Sequence, residues 1–497
     1  MTTSLISPLL SPPPVIIVGS GLAGLSAASQ LLTHNIPVYM LDRAPKPGGN
    51  SIKASSGING APTRFQPASV PDSVATFLND TIASAGVPLA NATGADRARR
   101  EQLLATLTAN SAEAVYWLTE KGVDLSRVAQ LGGHSWPRTH RGAGKEPPGS
   151  AIVRTLLGEL RADPRFTLRS GARVTRVLRK ADEVCGVEYV AEGNAEQAGS
   201  GSEGQTQPEA KTEVIEGPVI FASGGFAGDS RGLLEKYRPD LAGLPSTNEA
   251  REGSQPLLEG VGAALVDMEY VQVHPTGFVD PKNPEVIVKF LAAEMLRGEG
   301  GILLSGEGTR FVNELQTRQR VVDAIVASAE RLDTATRQWD VTLVLDEGAA
   351  AAAGSHMEFY AWKGLMRKTT VGELGPRALQ TMQDYAEVVS GKKKDPFGRT
   401  AFGHWKLAEV TPDSVVYAGK VTPVTHFTMG GVVIDAQSRV HNQEGQPIHG
   451  LWAAGEVTGG VHGQNRLGGS SLLECAVFGR IAGDQAAEFH DKHWKNE

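Results

Sequence analysis

The first apolar run of the chain is Val15–Val18, four consecutive β-branched residues that predict a short strand buried on both faces. The spacing of apolar residues becomes helical over 22–32, and a second apolar run at 37–41 predicts another buried strand. A strand, a helix and a strand in this order form the repeating unit of a parallel sheet. The start of the chain therefore predicts an α/β fold.

The same patterns predict further elements along the chain. We expect helices over 72–90, 96–121, 286–296, 320–332 and 471–490. We expect a strand pair over 171–190 and single strands over 219–222, 264–273, 341–345, 431–435 and 451–454. Residues 193–211 are rich in Gly, Glu, Gln and Ser and hold no aliphatic side chain larger than Ala, so we predict a disordered surface insertion over 188–212.

Composition narrows the class of protein. The chain has 497 residues, of which 58 are Gly, above the usual share of about 7%. Its net charge of −7 favours solubility and argues against a nucleic-acid partner. The two cysteines, Cys185 and Cys475, form no CxxC motif. This pattern disfavours an iron–sulfur cluster, an attached c-type haem and a disulfide framework, and we expect no metal site.

Sequence features also bear on location. No apolar run approaches the length of about 20 residues that a transmembrane helix needs. The first 14 residues hold no Lys or Arg, so they lack the basic region of a secretory signal and the Arg-rich pattern of a mitochondrial presequence. We expect a cytoplasmic protein with no membrane partner, and mitochondrial or ER locations stay open.

A dinucleotide-binding motif follows the first strand. Residues 19–24 read Gly-Ser-Gly-Leu-Ala-Gly and open the first helix, and Asp42 ends the second strand. In this motif Gly19 makes the tight turn, Gly21 lets the backbone approach a pyrophosphate, and Gly24 lets the helix pack closely on the strand. The helix N-terminus faces the phosphates and Asp42 accepts ribose hydroxyls. The motif by itself fits FAD and NAD equally well.

The next stretch separates the two cofactors. Residues 47–51 read Pro-Gly-Gly-Asn-Ser and residues 55–59 read Ser-Ser-Gly-Ile-Asn. This stretch resembles the part of the succinate dehydrogenase and fumarate reductase flavoproteins that approaches the isoalloxazine ring. Membrane-bound members carry a His there that bonds covalently to the flavin, whereas Asn50 and Ser51 stand here. The resemblance therefore implies non-covalent FAD.

Later segments fit the same cofactor. Residues 222–226 end a predicted strand, 455–456 follow another, and 470–472 open the last helix. That helix N-terminus would favour negative charge on the flavin. The residues expected to bind FAD are Gly19, Ser20, Gly21, Ala23, Gly24, Asp42, Arg43, Gly49, Asn50, Ser51, Ser55, Ser56, Gly57, Asn59, Val174, Ala222, Ser223, Gly224, Thr247, Asn248, Glu456, Arg466, Ser471 and Leu472.

The resemblance becomes close in the second half of the chain. Residues 272–276 (Gln-Val-His-Pro-Thr), 293–298 (Ala-Glu-Met-Leu-Arg-Gly), 310–318, 425–431 and 462–469 match family motifs in order and spacing. The match extends over residues 15 to 490. The residues within these motifs are most similar to those of the soluble, haem-free fumarate reductases of fungal type.

This resemblance implies a reaction. Reduced FAD would give a hydride from N5 to one alkene carbon of fumarate, a proton would go to the other carbon, and succinate would leave. The matching positions imply catalytic roles for Arg318 as proton donor, for Glu294 and Arg297 as its proton relay, and for His274. They imply that substrate is bound by Gln272, Ala293, His426 and Arg466.

Two positions depart from the family pattern. Where the family has Gly-Asp-Gly after its Thr-Asn, Thr247 and Asn248 lead to the tripeptide Arg-Glu-Gly at 251–253. Glu252 is the candidate replacement for that Asp. Bacterial members have a Thr just before the relay Glu, where this chain has Ala293, so we expect another hydroxyl or a different polarisation of the substrate.

A basic cluster at 134–141 leaves several interpretations open. It contains His134, Arg138, His140 and Arg141. The cluster could close over the pyrophosphate or over the substrate, or its side chains could simply be solvated.

The predicted fold is a doubly wound, Rossmann-like FAD-binding domain made of residues 1–267 and 427–497, with an inserted α+β capping domain at 268–426. We expect a dicarboxylate substrate and an electron donor that is a reduced free flavin or another reductase. Three alternatives stay open. They are the same fold acting on another unsaturated or oxidised acid, an aspartate-oxidase-like enzyme, and a flavin-binding protein without catalysis.

Overall fold

The computed structural model describes residues 12–191 and 211–494. Its strands are β1 (Val15–Val18), β2 (Val38–Asp42), β3 (Ile58–Asn59), β4 (Arg127–Ala129), β5 (Thr139–Arg141), β6 (Phe166–Ser170), β7 (Ala172–Lys180), β8 (Glu183–Ala191), β9 (Lys211–Glu216), β10 (Val219–Phe221), β11 (Leu265–Val266), β12 (Val271–Phe278), β13 (Ile302–Ser305), β14 (Val341–Asp346), β15 (Arg367–Thr370), β16 (Val415–Thr428), β17 (Gly431–Val433), β18 (Arg439–His441), β19 (Pro447–Ala453) and β20 (Thr458–Gly459). Its α-helices are α1 (Leu22–Thr33), α2 (Val74–Ala85), α3 (Val87–Asn91), α4 (Gly94–Ala109), α5 (Ser111–Glu120), α6 (Pro148–Arg161), α7 (Leu233–Tyr237), α8 (Gln255–Glu259), α9 (Met295–Gly298), α10 (Arg318–Ser328), α11 (Glu347–Ala353), α12 (Ser355–Trp362), α13 (Pro376–Val389) and α14 (Ser470–Trp494).

The largest sheet has the strand order β6-β2-β1-β10-β19-β8-β7, with β18 added to β19 and β9 added to β8. Its central strands pair in parallel, as expected from the strand–helix–strand pattern. β1 and β10 are covered on both faces, which explains why they contain only apolar residues. The carboxyl ends of these strands meet at one edge, where sheets of this kind bind ligands.

The first and last helices pack against each other beside this sheet. Two glycines of α14, Gly479 and Gly483, face the backbone of α1, and a Cβ at either would crowd the carbonyl oxygens of Ala23 and Ala27. Small residues at this contact let the two helix axes come close. The chain therefore returns at its end to complete the domain that it began.

A second, antiparallel sheet has the order β12-β16-β14-β13, with β15 paired to β16. It has apolar cores of its own, in which Leu303, Leu343 and Val421 are buried. Two three-stranded sheets, β11-β17-β20 and β3-β5-β4, complete the strands. This mixed architecture confirms the predicted α/β class, while the domain boundaries at 267/268 and 426/427 stay a prediction.

The prediction of a helix over 286–296 is wrong for most of its length. Only α9 at its end is helical, and the preceding residues are extended. Their backbone N–H groups form hydrogen bonds with other segments of the chain. The Lys289 N–H donates to the Ser246 carbonyl, and the Ala292 N–H donates to the Thr276 carbonyl. Tertiary hydrogen bonds, together with the β-branched residues at 286–288, outweigh the helical spacing here.

The predicted strand over 264–273 is divided between two sheets. The chain turns at Asp267, which has a φ of 60°, and Tyr270 N–H bonds back to its carbonyl. β11 before this turn pairs with β17, and β12 after it pairs with β16. The apolar pattern identified the strand character and missed the turn.

Two predicted helices are each divided as well. The pattern over 72–90 contains α2 and α3, separated at Gly86, which has a φ of 60°. The pattern over 96–121 contains α4 and α5, which meet at Asn110. Helical spacing continues across both breaks, so the pattern alone does not reveal them.

The insertion predicted over 188–212 is too long at both ends. Residues 188–191 belong to β8, and residues 211–212 belong to β9, which pairs with it. Residues 192–210 lie outside the described residues.

Among the described helices, α14 has 25 residues, which exceeds the length of about 20 residues that a membrane-spanning helix needs. It carries charged residues along its length, such as Glu474, Arg480 and Asp484. Among residues 12–191 and 211–494, no helix combines the length and the apolar character needed to span a membrane.

Candidate active site

A cavity of about 770 Å³ opens at the carboxyl edge of the parallel sheet. Residues following β1, β2, β10 and β19 line one end of it. Side chains from α10, α12 and β16 line the other end. We call these two parts the nucleotide end and the substrate end.

The turn after β1 forms the floor of the nucleotide end. Gly19 has a φ of 110°, and a Cβ there would clash with the Ala222 carbonyl. A Cβ on Gly24 would clash with the Gly19 carbonyl. Both glycines are thus required by the close packing of β1, α1 and the end of β10.

Asp42 holds this turn from the neighbouring strand. One carboxylate oxygen accepts the Ser20 N–H at 2.9 Å and also bonds the Ser20 hydroxyl, and the other accepts the Ala44 N–H at 2.7 Å. Asp42 also lines the cavity. Its predicted contact with ribose hydroxyls stays a prediction, and its contact with Ser20 is an additional role.

The stretch after β2 covers the start of α1. The Ser51 hydroxyl accepts the Leu22 N–H at 3.0 Å, and the Asn50 side chain bonds the Asn248 side chain. Gly57 has a φ of 124°, and a Cβ there would clash with the His140 carbonyl. A glycine is therefore needed at position 57 for this stretch to pack on β5.

Almost all residues predicted to bind the cofactor lie on the cavity wall. They are Gly19, Ser20, Gly21, Ala23, Asp42, Arg43, Gly49, Asn50, Ser51, Ser55, Ser56, Gly57, Val174, Ala222, Ser223, Gly224, Thr247, Asn248, Glu456, Arg466, Ser471 and Leu472. The exceptions, Gly24 and Asn59, lie behind the wall. The Asn59 amide donates to the Gly468 carbonyl at 2.8 Å and to the Ser470 hydroxyl at 3.0 Å, so it anchors the start of α14.

Two buried guanidinium groups lie at the substrate end. Arg318 begins α10, and Arg466 lies on the loop before α14. The Gln272 amide oxygen accepts from Arg318 at 2.7 Å and from Arg466 at 3.0 Å. A neutral side chain thus holds two like charges side by side at the cavity.

Glu294 neutralises one of these charges. Its carboxylate lies 2.7 Å from Nε and 2.6 Å from Nη2 of Arg318, accepts the Gly132 N–H at 2.9 Å, and lies 3.9 Å from Arg297. Burial by itself would raise the pKa of Glu294, but Arg318 and Arg297 outweigh burial and lower it to about 2. Glu294 is therefore ionised at neutral pH.

Two histidines lie beside the arginines. The rings of His274 and His426 are 5.3 Å apart, and the His426 ring bonds the Thr247 hydroxyl at 2.8 Å. Burial, followed by the charge of Arg318, holds the pKa of both histidines well below the usual value, so both are neutral. Nδ1 of His274 accepts the Thr276 N–H at 3.2 Å, which leaves the proton on Nε2.

Some buried polar atoms at the substrate end have no hydrogen-bond partner among the described residues. They include Nε2 of His274 and Nε of Arg466. An unpaired buried donor costs about 1–3 kcal/mol. Unpaired donors at the wall of a cavity or behind it are typical of a site that binds an oxygen-rich ligand.

A family model described as an FAD binding domain matches residues 14–472. This chain belongs to that FAD-binding family. The fumarate reductase of Schizosaccharomyces pombe is 40% identical to it, over 95% of this chain and 89% of the relative. Fumarate reductase 1 of Saccharomyces cerevisiae is 41% identical, over 95% of this chain and 98% of the relative. A solved structure of the open conformation of a flavocytochrome c3 fumarate reductase has a TM-score of 0.71 and 29% identity, over 96% of this chain and 78% of that chain.

These findings confirm the resemblance and the cofactor predicted from the motifs: this family member uses FAD. The cavity fits that group on its own geometry. A Cβ on Gly224 would meet nothing within 4 Å, and one on Gly21 would meet only the Ser51 hydroxyl, at 3.4 Å. The backbone at both positions is therefore open to a ligand. Non-covalent attachment stays a prediction.

Of the eight predicted catalytic and substrate residues, three line the FAD cavity and five lie behind its wall. Arg318, His426 and Arg466 line the cavity. Gln272 contacts both arginines, and Glu294 contacts Arg318. The others behind the wall are His274, Ala293 and Arg297, all of which are buried.

Ala293 has no side-chain hydroxyl, but its backbone N–H forms a hydrogen bond with the hydroxyl of another residue. The Ala293 N–H donates to the Tyr360 hydroxyl at 3.2 Å, and this hydroxyl donates to the Leu291 carbonyl at 3.0 Å. Tyr360 and Leu291 both line the FAD cavity. A hydroxyl on α12 thus holds the backbone at Ala293, and whether it replaces the hydroxyl of the family pattern stays a prediction.

His134, Arg138 and His140 of the basic cluster are buried rather than solvated, and no residue of the cluster lines the cavity. Arg138 is fully buried and pairs with Asp72 at 2.8 Å and Asp80 at 2.5 Å. The His140 ring bonds the Thr63 hydroxyl at 2.7 Å. Burial lowers the pKa of His134 and of His140 to about 4. The cluster is a neutralised interior network, because acidic partners on α2 and before it come from a distant part of the sequence.

Sequence reasoning missed the wall contributed by α12 and the segment before α9. Its members that line the cavity are Val288, Lys289, Phe290, Leu291, Ser355, His356, Phe359 and Tyr360. Nε2 of His356 donates to the Ser55 carbonyl at 2.9 Å, which brings α12 onto the stretch after β2. The aromatic run at 359–362 was the available signal, although aromatic residues in a helix more often form a core.

Proposed function

We propose that this protein is an FAD-dependent fumarate reductase. The observation that carries the proposal is the pair of buried guanidinium groups, Arg318 and Arg466, on the wall of the FAD cavity. Two neighbouring cations suit a dicarboxylate, since an arginine binds a carboxylate through two parallel hydrogen bonds. The names of the relatives from Schizosaccharomyces pombe and Saccharomyces cerevisiae support the same substrate.

In this proposal Arg466, His426 and His274 bind the substrate carboxylates, together with the backbone near Ala293. Nε of Arg466 and Nε2 of His274 are buried donors without partners, and a carboxylate would satisfy them. Gln272 holds the two arginines at their spacing by accepting from both. Binding energy at this site would thus come from donors already oriented in the free protein.

Arg318 is the proposed proton donor. When bound, FAD supplies a hydride from its N5 atom to one alkene carbon. Arg318 gives a proton to the other carbon, and its positive charge stabilises the negative charge that develops beside the carboxylate. Glu294, ionised and 2.7 Å from Nε of Arg318, accepts a proton that comes from solvent by way of Arg297 and passes it to the deprotonated Arg318. His274, as a neutral imidazole donor, polarises the substrate.

We also propose that residues 268–426 form a cap that closes on the FAD domain. Arg318 belongs to this cap and Arg466 to the segment 427–497, and they share Gln272 as acceptor. Closure would then assemble the two halves of the site and exclude water. The proposed electron donor is a reduced free flavin or another reductase, and the compartment stays a prediction.

An anaerobic half-reaction tests the proposed function. The purified holoenzyme is reduced with dithionite, mixed with fumarate in a stopped-flow instrument, and followed through the flavin absorbance. We expect rapid reoxidation with one succinate formed per FAD. A matched mixing with a monocarboxylic alkene such as crotonate should leave the flavin reduced, because one carboxylate engages only part of the site.

The opposite pattern has a definite meaning. A flavin that stays reduced with fumarate and is reoxidised by another unsaturated acid would assign the site to that acid. A flavin reoxidised by no alkene would contradict the proposed chemistry as a whole.

A further inference from the structure

Six exposed apolar side chains lie together on the cap, next to the FAD cavity. They are Val286, Ile287, Val288, Phe290, Phe359 and Trp362, and we call them the aromatic lip. Trp362 is 76% exposed and Ile287 is 63% exposed. The other large exposed apolar side chains in the described residues lie on other parts of the chain, namely Ile82, Val87, Val214, Val326 and Phe397. Grouped exposed apolar surface of this kind marks an interaction site.

The rings of the aromatic lip form a continuous surface. The ring centroids of Phe290 and Phe359 are 6.1 Å apart, and those of Phe359 and Trp362 are 6.2 Å apart. The Lys363 ammonium group lies over both Phe290, at 5.2 Å, and Trp362, at 4.8 Å. The surface therefore combines aromatic faces with a positive charge.

The aromatic lip is continuous with the FAD cavity. Val288, Phe290 and Phe359 belong to the lip and also line the cavity. The helix that carries Phe359 and Trp362 contacts the stretch after β2 through His356 and Ser55. A ring lying on the lip would thus border the part of the cavity lined by the flavin-approach residues.

We infer that the aromatic lip is the docking site at which a free reduced flavin, one of the two donors proposed above, delivers its electrons. The inference rests on the proposed function, since fumarate reduction consumes two electrons that must be supplied again for each turnover. A flat, three-ring donor stacks on exposed aromatic faces, and an anionic phosphate on its side chain suits Lys363. The exposed Lys145, which lines the cavity and pairs with Glu358 at 2.8 Å, supplies a second positive charge.

The size of the aromatic lip favours a small molecule over a protein. A specific protein interface takes about 20–30 residues on each side, whereas the lip has six. The donor docks reduced and leaves oxidised, having given up two electrons and two protons. These are the two electrons and two protons that fumarate gains on becoming succinate, so the overall reaction balances.

Trp362→Ala tests this inference in the holoenzyme, with Val214→Ser on β9 as the control at an exposed apolar position outside the lip. Three quantities are measured anaerobically. They are the half-saturating concentration of reduced FMN in fumarate turnover, the Kd of oxidised FMN by equilibrium dialysis, and the rate at which fumarate reoxidises dithionite-reduced enzyme.

We expect Trp362→Ala to raise both the half-saturating concentration and the Kd about fivefold or more, because a stacking face is lost. The dithionite half-reaction should stay within twofold of the wild type, since Trp362 does not line the cavity. Val214→Ser should change none of the three. Lys363→Glu should weaken FMN more than riboflavin, which lacks the phosphate.

Several results would overturn the inference. They are unchanged values in Trp362→Ala, an equal effect of Val214→Ser, and saturation by NADH that depends on Trp362 while FMN has no effect. Loss of self-association in Trp362→Ala with normal FMN binding would reassign the lip to an interface between copies. A dithionite half-reaction that fails in the wild type would instead contradict the proposed function.

Discussion

At the nucleotide end of the cavity the wall is made by backbone and small side chains, whereas at the substrate end it is made by charged side chains. Gly19 and Gly24 allow three elements to pack with no room for a Cβ. Arg318 and Arg466 instead depend on Gln272 and Glu294 to hold their charges in place. One end is shaped by steric fit and the other by electrostatic compensation.

This difference predicts how each end of the cavity should respond to mutation. A steric site tolerates no added atom, but each residue needs only its neighbours in sequence and one adjacent strand. An electrostatic site tolerates changes of shape, but removing one charge leaves its buried partner uncompensated. Mutations should therefore affect FAD retention at one end and turnover at the other.

The largest expected effect is at Arg318. Arg318→Ala should lower turnover with fumarate by about 10³-fold or more, because it removes both the proton donor and a positive charge at the reacting carbon. FAD content, measured by absorbance after gel filtration, should stay near one per chain. Arg320→Ala, an exposed arginine on the same helix, should change neither quantity. Near-normal turnover in Arg318→Ala would falsify the assignment.

Gly24→Ala tests the steric account of the nucleotide end. The added Cβ would clash with the Gly19 carbonyl, and overpacking of this kind costs about 1–3 kcal/mol. FAD affinity, measured by titrating the apoprotein, should fall about tenfold or more, whereas turnover per bound FAD should change little. Gly158→Ala, in α6 with nothing within 4 Å of the added Cβ, is the control. Equal FAD affinity in the two variants would contradict the steric account.

Tyr360→Phe tests whether a hydrogen bond behind the wall supports the substrate end. Loss of the hydroxyl leaves the buried N–H of Ala293 without its acceptor, and kcat/KM for fumarate should fall about tenfold. FAD affinity should be unchanged. Tyr385→Phe is the matched control, since that buried hydroxyl has no partner among the described residues. A drop in FAD affinity with normal kcat/KM would place Tyr360 at the nucleotide end.

The smallest expected effect is on stability in acid. Burial lowers the pKa of His134, His140 and His356 to about 4, against an ordinary value of 6.5. Below pH 6.5 the unfolded chain binds protons that the folded chain does not, so the free energy of unfolding falls as pH drops from 6.5 to 4. The melting temperature should decrease steadily over this range.

His356→Gln separates one contribution to this acid dependence. Its amide can still donate to the Ser55 carbonyl and does not titrate. The variant should match the wild type near pH 7.5 and lose less melting temperature by pH 5. Parallel curves over the whole range would show that His356 contributes nothing to the acid dependence.

Local sequence predicted the elements whose contacts lie close by in the chain. β1, α1 and β2 have nearly the predicted bounds, and the cofactor residues around them lie on the cavity wall. The prediction failed at 286–296, where apolar residues at helical spacing are held extended by bonds to Ser246 and Thr276. Such partners come from other parts of the chain and leave no trace in the local pattern.

The charged residues show the same limit of prediction from local sequence. Arg138 and His140 have the composition of an exposed anion-binding cluster, yet Asp72 and Asp80 bury and neutralise the arginine. The aromatic run at 359–362 has the composition of a core helix, yet Trp362 is exposed beside the cavity. Burial depends on what packs against a side chain, and that is a property of the fold.

The FAD-binding turn, the α/β class and the identity of the residues at the substrate end follow from the amino-acid sequence alone. A glycine requirement is local, because the turn that needs it spans only a few residues. The tertiary structure decided which charges meet, since Gln272 reaches Arg466 across 194 positions and Glu294 reaches Arg318 across 24. The ionised state of Glu294 and the neutral histidines beside it follow from that packing, because burial and neighbouring charge arise only in the folded chain.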